Sequence, residues 1–237
     1  MGKGGRYIEK IYFIVQEITK SKMDTINKIT QKFGLKITDA TKMPVEIPNI
    51  KRDDLPQLFK ELGFKIGAEI GVFQGDYSEK LCKNNPQLKL YCIDSWQQKE
   101  DMSQYGYSNE LLAQSEKMAR ERLSTYNSEI IKKTSQDAVK NFEDNLLDFV
   151  YIDGSHLFED VVMDISQWIR KLKIGGIISG HDYIQFRGDT AWCHVVPAVI
   201  GYTSAYSIRP WFVLGRKNTT EGEARDVYRS WMWVRLK

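Results

Sequence analysis

The chain has 237 residues, of which 42% are hydrophobic and 27% charged, room for one sizeable domain and a short extension. Disorder, collagen-like repetition and low complexity are excluded as descriptions of the whole, and the net charge of +3 is too mild to indicate nucleic acid by itself. The longest apolar run near the N-terminus, Ile11 to Val15, falls far short of the roughly 20 residues of a bilayer span. Cys82, Cys92 and Cys193 are odd in number and never in C-x-x-C spacing, against both a disulfide scaffold and a structural zinc site. No stretch has the layout of a secretory signal, so the expected location is cytoplasmic.

Residues 1–42 hold nine Lys/Arg against four Asp/Glu, a net +5. Within them Tyr7, Ile11, Ile14, Val15 and Ile18 fall on one helical face. Two readings stand: a helix docking on the main domain or on a second copy of the chain, and a basic helix touching a membrane surface or nucleic acid. Pro44, Pro48 and Asn49 mark a turn-prone boundary. The expected organisation is a basic helical extension, 1–42, and a main domain, 43–237.

From there strands and helices alternate. Asp53-Asp54 opens an amphipathic helix through Leu62, and residues 65–71 form a strand ending in glycine. A helix begins near Asp76 with Tyr77, Leu81 and Cys82 on one side, and a strand from Leu88 ends at Asp94. Helix 107–126, strand 129–133 and helix 135–143 follow, then a nearly continuous apolar strand, 147–152, ending at Asp153. A long helix carries Val161, Ile165, Trp168, Ile169 and Leu172 and closes at Gly175-Gly176, ahead of a strand at Ile177–Ser179. After a helix near 195–202, the segments 206–208, 211–216 and 231–236 read as closing strands, with Trp211, Trp231 and Trp233 as core or dimer contacts. Apolar strands alternating with helices predict a doubly wound α/β fold with a parallel sheet covered on both faces.

In such folds ligands bind beyond the carboxyl ends of the strands. Polar residues stand at five of these ends: Glu69 with Gly71, Asp94, Ser135 with Gln136, Asp153 with His156, and His181 with Asp182. The turn Glu69-Ile-Gly71-Val-Phe-Gln-Gly75-Asp76 lacks the G-x-G-x-x-G spacing that seats a pyrophosphate on a helix N-terminus. Glu69 and Asp76 put negative charge on both sides of it, which repels phosphate and attracts an ammonium and a sulfonium. Gly71 and Gly75, without Cβ atoms, allow close backbone approach. Asp94, at the end of the second strand, can accept ribose hydroxyls. S-adenosylmethionine meets these demands and a nicotinamide dinucleotide fails the first.

These segments resemble the class I S-adenosylmethionine-dependent methyltransferases, and within them the small-molecule and sugar O-methyltransferase branch. GAEIGVFQGDYSEKL is similar to the family's first motif and LYCIDSW to its ribose-binding second strand. LDFVYIDGSHLFEDVVMDI is similar to its fourth strand and helix, and LKIGGIISGHDY to its fifth strand. The resemblance spans roughly 43–237 and implies a seven-stranded Rossmann-like methyltransferase sheet. It implies that Glu69, Gly71 and Gly75 cradle the methionine portion and that Asp94 holds the ribose. Trp96 covers the adenine face or is an ordinary core residue, Ser135 and Gln136 contact adenine, and Asp153 lies near the ammonium and the acceptor.

Two catalytic designs fit. In one, His156 or His181 removes the acceptor's hydroxyl proton, imidazole titrating near neutral pH. In the other, Asp153, His181 and Asp182 hold a divalent cation that lowers the hydroxyl's pKa. The metal-dependent relatives carry an Asp-Asn pair where this chain has His181-Asp182, which favours manganese over magnesium. Tyr105 and Tyr107, with Phe186, Arg187, Asp189 and Trp192, are the expected acceptor walls, suiting a sugar or an aromatic alcohol. The leading expectation is methyl transfer to a hydroxyl of a small molecule or glycan. An RNA methyltransferase using the basic N-terminal region, and a non-catalytic adenosylmethionine-binding subunit, are the alternatives.

Overall fold

In the computed structural model, which describes residues 24–97, 107–184, 193–224 and 226–237, the alternating pattern builds one mixed sheet between two helical layers. The strands are β1 (Val45–Ile47), β2 (Ile66–Ile70), β3 (Lys89–Asp94), β4 (Ser128–Lys132), β5 (Leu147–Ile152), β6 (Leu172–Gly180), β7 (Trp211–Leu214) and β8 (Trp231–Val234). They lie in the order β1-β7-β8-β6-β5-β2-β3-β4. The run from β6 to β4 is parallel throughout, whereas β8 is antiparallel to both its neighbours. From β2 the chain winds outward to β3 and β4, then returns to β5 and winds the other way. The topology therefore reverses between β2 and β5, and a crevice opens at their carboxyl ends.

The helices are α1 (Leu55–Glu61), α2 (Asp76–Asn84), α3 (Asn109–Leu123), α4 (Ser135–Ala138), α5 (Phe158–Trp168) and α6 (Val195–Ala205). Each long one buries a single stripe. In α5 the stripe is Val161, Asp164, Ile165 and Trp168, helical spacing that sets one face against the sheet. One apolar cluster joins Phe59, Leu81, Leu112 and Leu123 to Phe149 and Tyr151, and another joins Ile165, Trp168 and Val199 to Val150 and Ile178. Every residue of β5 is buried, as its continuous apolar run requires of a strand covered on both sides. Trp211, Trp231 and Trp233 are all buried within the one chain, so they are core residues.

Three expectations need correction. The sheet has eight strands rather than seven, because Val45–Ile47, between Pro44 and Pro48, adds an edge strand parallel to β7. Proline is compatible with such a short edge, where few N–H groups are needed. Gly175-Gly176 does not close the helix. The helical turns end at Lys171, and both glycines lie inside β6, where a side chain at Gly176 would strike the Asp148 carbonyl at 2.7 Å. The segment 206–208 is no strand: α6 runs to Ala205, and Ile208 N–H closes back on the Thr203 carbonyl at 2.8 Å.

Ahead of the sheet, residues 24–32 are helical, Ile29 is fully buried in the domain's core, and Thr25 Oγ1 donates to the Gly175 carbonyl at 2.8 Å. The helical face Tyr7–Ile18, the loop residue Tyr105, and Phe186, Arg187, Asp189 and Trp192 lie outside the described residues. Among the described residues no helix is long and apolar enough to cross a membrane.

Candidate functional site

The crevice at the switch point is a cleft of about 520 Å³, a size that suits a nucleoside-sized ligand. It is lined by Glu69, Gly71, Asp94, Trp96, Ser135, Gln136, Asp153, His156, His181 and Asp182, every expected site residue except Gly75. Gly75 sits behind it as the N-cap of α2, its open side 3.2 Å from the Ala119 Cα, so it serves helix packing.

The glycine turn is fixed from two directions. Gly71 has φ +87°, and a Cβ there would lie 2.1 Å from the Asp153 carbonyl oxygen, so the loops after β2 and β5 touch backbone to backbone. From the other side Asp94 reaches across from β3. Its Oδ2 accepts the N–H groups of Val72 and Phe73, both at 2.9 Å, and its Oδ1 accepts Trp96 N–H at 2.8 Å. A carboxylate has about four acceptor positions. Three are spent on this clasp, leaving Oδ1 one position for a ligand hydroxyl. Trp96 is 5% exposed, donates Nε1–H to the Phe73 carbonyl at 2.9 Å and still lines the cleft, so it is a core residue with one face on the site.

Glu69 is 1% exposed at the end of β2, and Ser78 Oγ donates to its carboxylate. Burial pushes its carboxyl up to about 8, against the pull of the Ser78 hydrogen bond and with the neighbouring Asp153 charge adding to the rise. Asp76, expected to add bare negative charge, is paired with Arg122 on α3. Ser135 begins α4, which Thr134 caps by accepting Asp137 N–H at 3.2 Å. The Ser135 hydroxyl donates to buried Asp164 and accepts from Trp168 Nε1 at 2.7 Å, which ties the rim to α5.

Beside the glycine turn, around Asp153, charges converge. His156 Nε2 lies 2.9 Å from Asp182 Oδ2, while His181 Nδ1 stands 3.4 Å from Asp182 Oδ1 and 3.5 Å from Asp153 Oδ1. Burial alone would lower His181, but hydrogen bonds and charge from Asp153 and Asp182 outweigh it and raise the imidazole to about 9. His156 is likewise lowered by burial and raised, on balance, by Asp182, with the His181 charge opposing. For Asp182 burial acts upward, yet its two histidines hold it well below the usual carboxylate range. Asp153, His181 and Asp182 each offer a donor atom within 4.8 Å of the others, a set that could hold a metal ion. The third histidine, His194, accepts Phe158 N–H at 3.3 Å and caps α5.

Three lining residues carry no signal in the sequence reading. Arg52, from the short 3-10 turn Arg52–Asp54, places Nη1 2.9 Å from Asp153 Oδ2. Lys133 follows β4, and Tyr228, ahead of β8, sets its ring 6.5 Å from that of His181. A charged run such as Lys51-Arg52-Asp53-Asp54 reads as a solvated helix start, and only the tertiary fold turns Arg52 inward.

Residues 68–183 match a family model described as a methyltransferase domain. A relative from Sinorhizobium fredii (strain NBRC 101917 / NGR234), described as uncharacterized protein y4gI, is 24% identical over 120 residues. That stretch is 50% of this chain and 12% of the relative, so the chain spans a small part of its length. Among solved structures, cofactor-bound Rv0187 from MTB aligns with a TM-score of 0.54 at 16% identity, over 91% of this chain and 90% of that one. An O-methyltransferase from Bacillus cereus in complex with SAH aligns with a TM-score of 0.54 at 12% identity, over 91% of both chains. Both share the fold described above.

Proposed function

We propose, with residues 68–183 a methyltransferase domain and S-adenosylmethionine the methyl donor of that family as the premise, that this chain methylates a hydroxyl group of a small molecule or sugar. The observation that carries the reading is the convergence of the strand ends on one cleft, with carboxylates at the glycine turn and a histidine–aspartate cluster joined to it through Asp153. The donor set fits the cofactor: Glu69 and Asp153 suit a cationic amino-acid portion, Asp94 a ribose hydroxyl, and Trp96 and Gln136 a purine. We keep residues 43–237 as the methyltransferase domain and residues 1–42 as a basic extension, whose described end packs on it through Ile29.

Bound S-adenosylmethionine supplies an activated methyl group. What the chain must supply is alignment and a proton acceptor, because an in-line displacement at a sulfonium spreads charge already present. The clasp of Asp94 on the glycine turn holds the binding loop in one conformation before any ligand arrives. Asp182, shared by two imidazoles, raises both of them, while charge on His181 opposes charge on His156. Whichever ring of the His156–His181 pair is neutral can take the acceptor's hydroxyl proton. A cation seated at Asp153 weakens that carboxylate's support of His181 and moves the ring toward neutrality.

The second reading, metal assistance, is favoured by the clustering of Asp153, His181 and Asp182. A divalent cation there would lower the hydroxyl's pKa, and the imidazole in the set suits manganese better than magnesium. Against it, both carboxylates already have cationic or imidazole partners in Arg52, His156 and His181. The test is calorimetric titration with S-adenosylhomocysteine, followed by an acceptor screen that reads its release, with and without chelator. Micromolar binding and turnover that survives chelation support the histidine design, and turnover abolished by chelator transfers the role to a metal. No binding by the folded protein removes the methyltransferase reading.

A further inference from the structure

The cleft is rich in acids, yet an amino-acid ligand brings an anion as well as a cation. Among the described residues lining it, the basic side chains are Arg52, Lys133, His156 and His181. The histidines are engaged with Asp182, and Lys133 stands after β4, beside Thr134 and Ser135 at the rim assigned to the base. Arg52 is the cation beside Glu69, Gly71 and Asp153, where the amino-acid end of the donor belongs.

Its placement is built from several contacts. The turn carrying it is held by Tyr77, whose hydroxyl donates to the Arg52 carbonyl at 3.2 Å, and the guanidinium lies over the Tyr77 ring at 5.0 Å. Tyr77 in turn packs on Tyr151 of β5, with centroids 4.5 Å apart. The side chain is 31% exposed, toward the cleft, and of five guanidinium donors the contact to Asp153 uses one among the described residues. A planar fork with unspent donors is the group that binds a carboxylate bidentately.

We propose that Arg52 anchors the carboxylate of the donor's methionine portion and that its pair with Asp153 is the resting arrangement, exchanged on binding. The inference rests on the S-adenosylmethionine reading above. On arrival of a zwitterion, one ion pair becomes two: ligand carboxylate with Arg52, and ligand ammonium with Asp153. The exchange pairs both charges of the ligand's amino-acid end, and it makes recognition depend on the amino acid as well as the nucleoside. Arg52 lies outside the segment matched by the family model, on the turn ahead of α1.

The test compares two ligands, S-adenosylhomocysteine and 5′-methylthioadenosine, which keeps the nucleoside and thioether but lacks the amino acid. Calorimetric titrations are run on the unmodified protein, Arg52→Met and Arg52→Lys, each checked for an unchanged melting profile. Arg52→Met should weaken S-adenosylhomocysteine roughly 30- to 300-fold, the loss expected of a charge-assisted bidentate contact, and Arg52→Lys roughly 10-fold. Methylthioadenosine should stay within about twofold on all three proteins. S-adenosylhomocysteine affinity unchanged in both variants overturns the proposal. So does equal weakening of both ligands, which would make Arg52 a support of the cleft wall through Tyr77. If Arg52→Met does not fold, the ratio of the two ligands on Arg52→Lys decides. Neither ligand binding to the unmodified protein overturns the cofactor reading itself, a separate outcome.

Discussion

Asp94→Asn separates two roles that the carboxylate could play. In the structure it clasps the glycine turn through three backbone N–H groups, those of Val72, Phe73 and Trp96. Asparagine keeps one carbonyl oxygen, which can serve Val72 and Phe73 at the weaker strength of a neutral acceptor. Its NH₂ then faces the Trp96 N–H, donor against donor. Hydrogen bonds to a charged group contribute about 1.5–3 kcal/mol each and neutral ones about 1 kcal/mol, so the change costs about 3 kcal/mol. In a chain of this size that lowers the melting temperature by roughly 6–12 °C. The assay is thermal denaturation followed by circular dichroism, alongside titration with S-adenosylhomocysteine, whose affinity should fall at least about 10-fold as the loop loses its set conformation. A melting temperature within about 2 °C of the unmodified protein, with affinity lost, would refute the clasp and make Asp94 a ligand contact alone.

Gly71→Ala places a Cβ 2.1 Å from the Asp153 carbonyl in a residue with φ +87°. The expected cost is roughly 2–5 kcal/mol from overpacking and backbone strain, read in a denaturant midpoint, and full stability would mean that the two loops can separate freely. Glu69 is raised to about 8 in the folded chain, so folding takes up a proton between its unfolded pKa and that value. Its contribution is complete below about pH 4.5 and declines by about 1.4 kcal/mol per pH unit as the pH rises toward 8. Glu69→Gln should remove that decline, gaining about 3 kcal/mol on the unmodified protein between pH 5.5 and 7.5, and parallel stability curves would contradict it. Asp182→Asn unties both histidines and should lower kcat roughly 100-fold or more with S-adenosylhomocysteine affinity within about threefold. Turnover unchanged would remove the cluster from catalysis.

The architecture was legible because β5 and the stripes of α2 and α5 are strong periodic signals, and because the strand-end residues Glu69, Asp94, Asp153 and His181 sit in register with the strands. Sequence spacing could bring them to one rim, since parallel strands of a sheet share their carboxyl ends. It could not assign partners. Asp94 read as a ribose ligand, and nothing local shows that its carboxylate also accepts N–H groups of the glycine turn 21 and 22 residues earlier. Asp76 read as bare negative charge because Arg122 lies on another helix. The strand β1 was hidden between prolines, and Gly175-Gly176 read as a helix stop because an irregular start to a long strand has the same local composition as a loop.

Arg52 shows the same limit at the level of function. Its pair with Asp153 spans 101 residues, and no periodicity links a 3-10 turn before α1 to a carboxylate after β5. Yet electrostatics alone demanded such a residue. A site that binds a zwitterion beside Asp94 and Asp153, with no cation, would face the ligand's carboxylate with like charges inside a partly desolvated cleft, where they are screened least. The acidic strand ends therefore imply a basic partner from outside the sheet, and the turn ahead of α1 is near enough because α1 packs on β5 through Phe59 on Phe149 at 4.2 Å. The packing that fixes the helix also delivers the charge, so a substitution at Phe59 should weaken S-adenosylhomocysteine more than methylthioadenosine, as loss of Arg52 does. Equal weakening of the two would break that link.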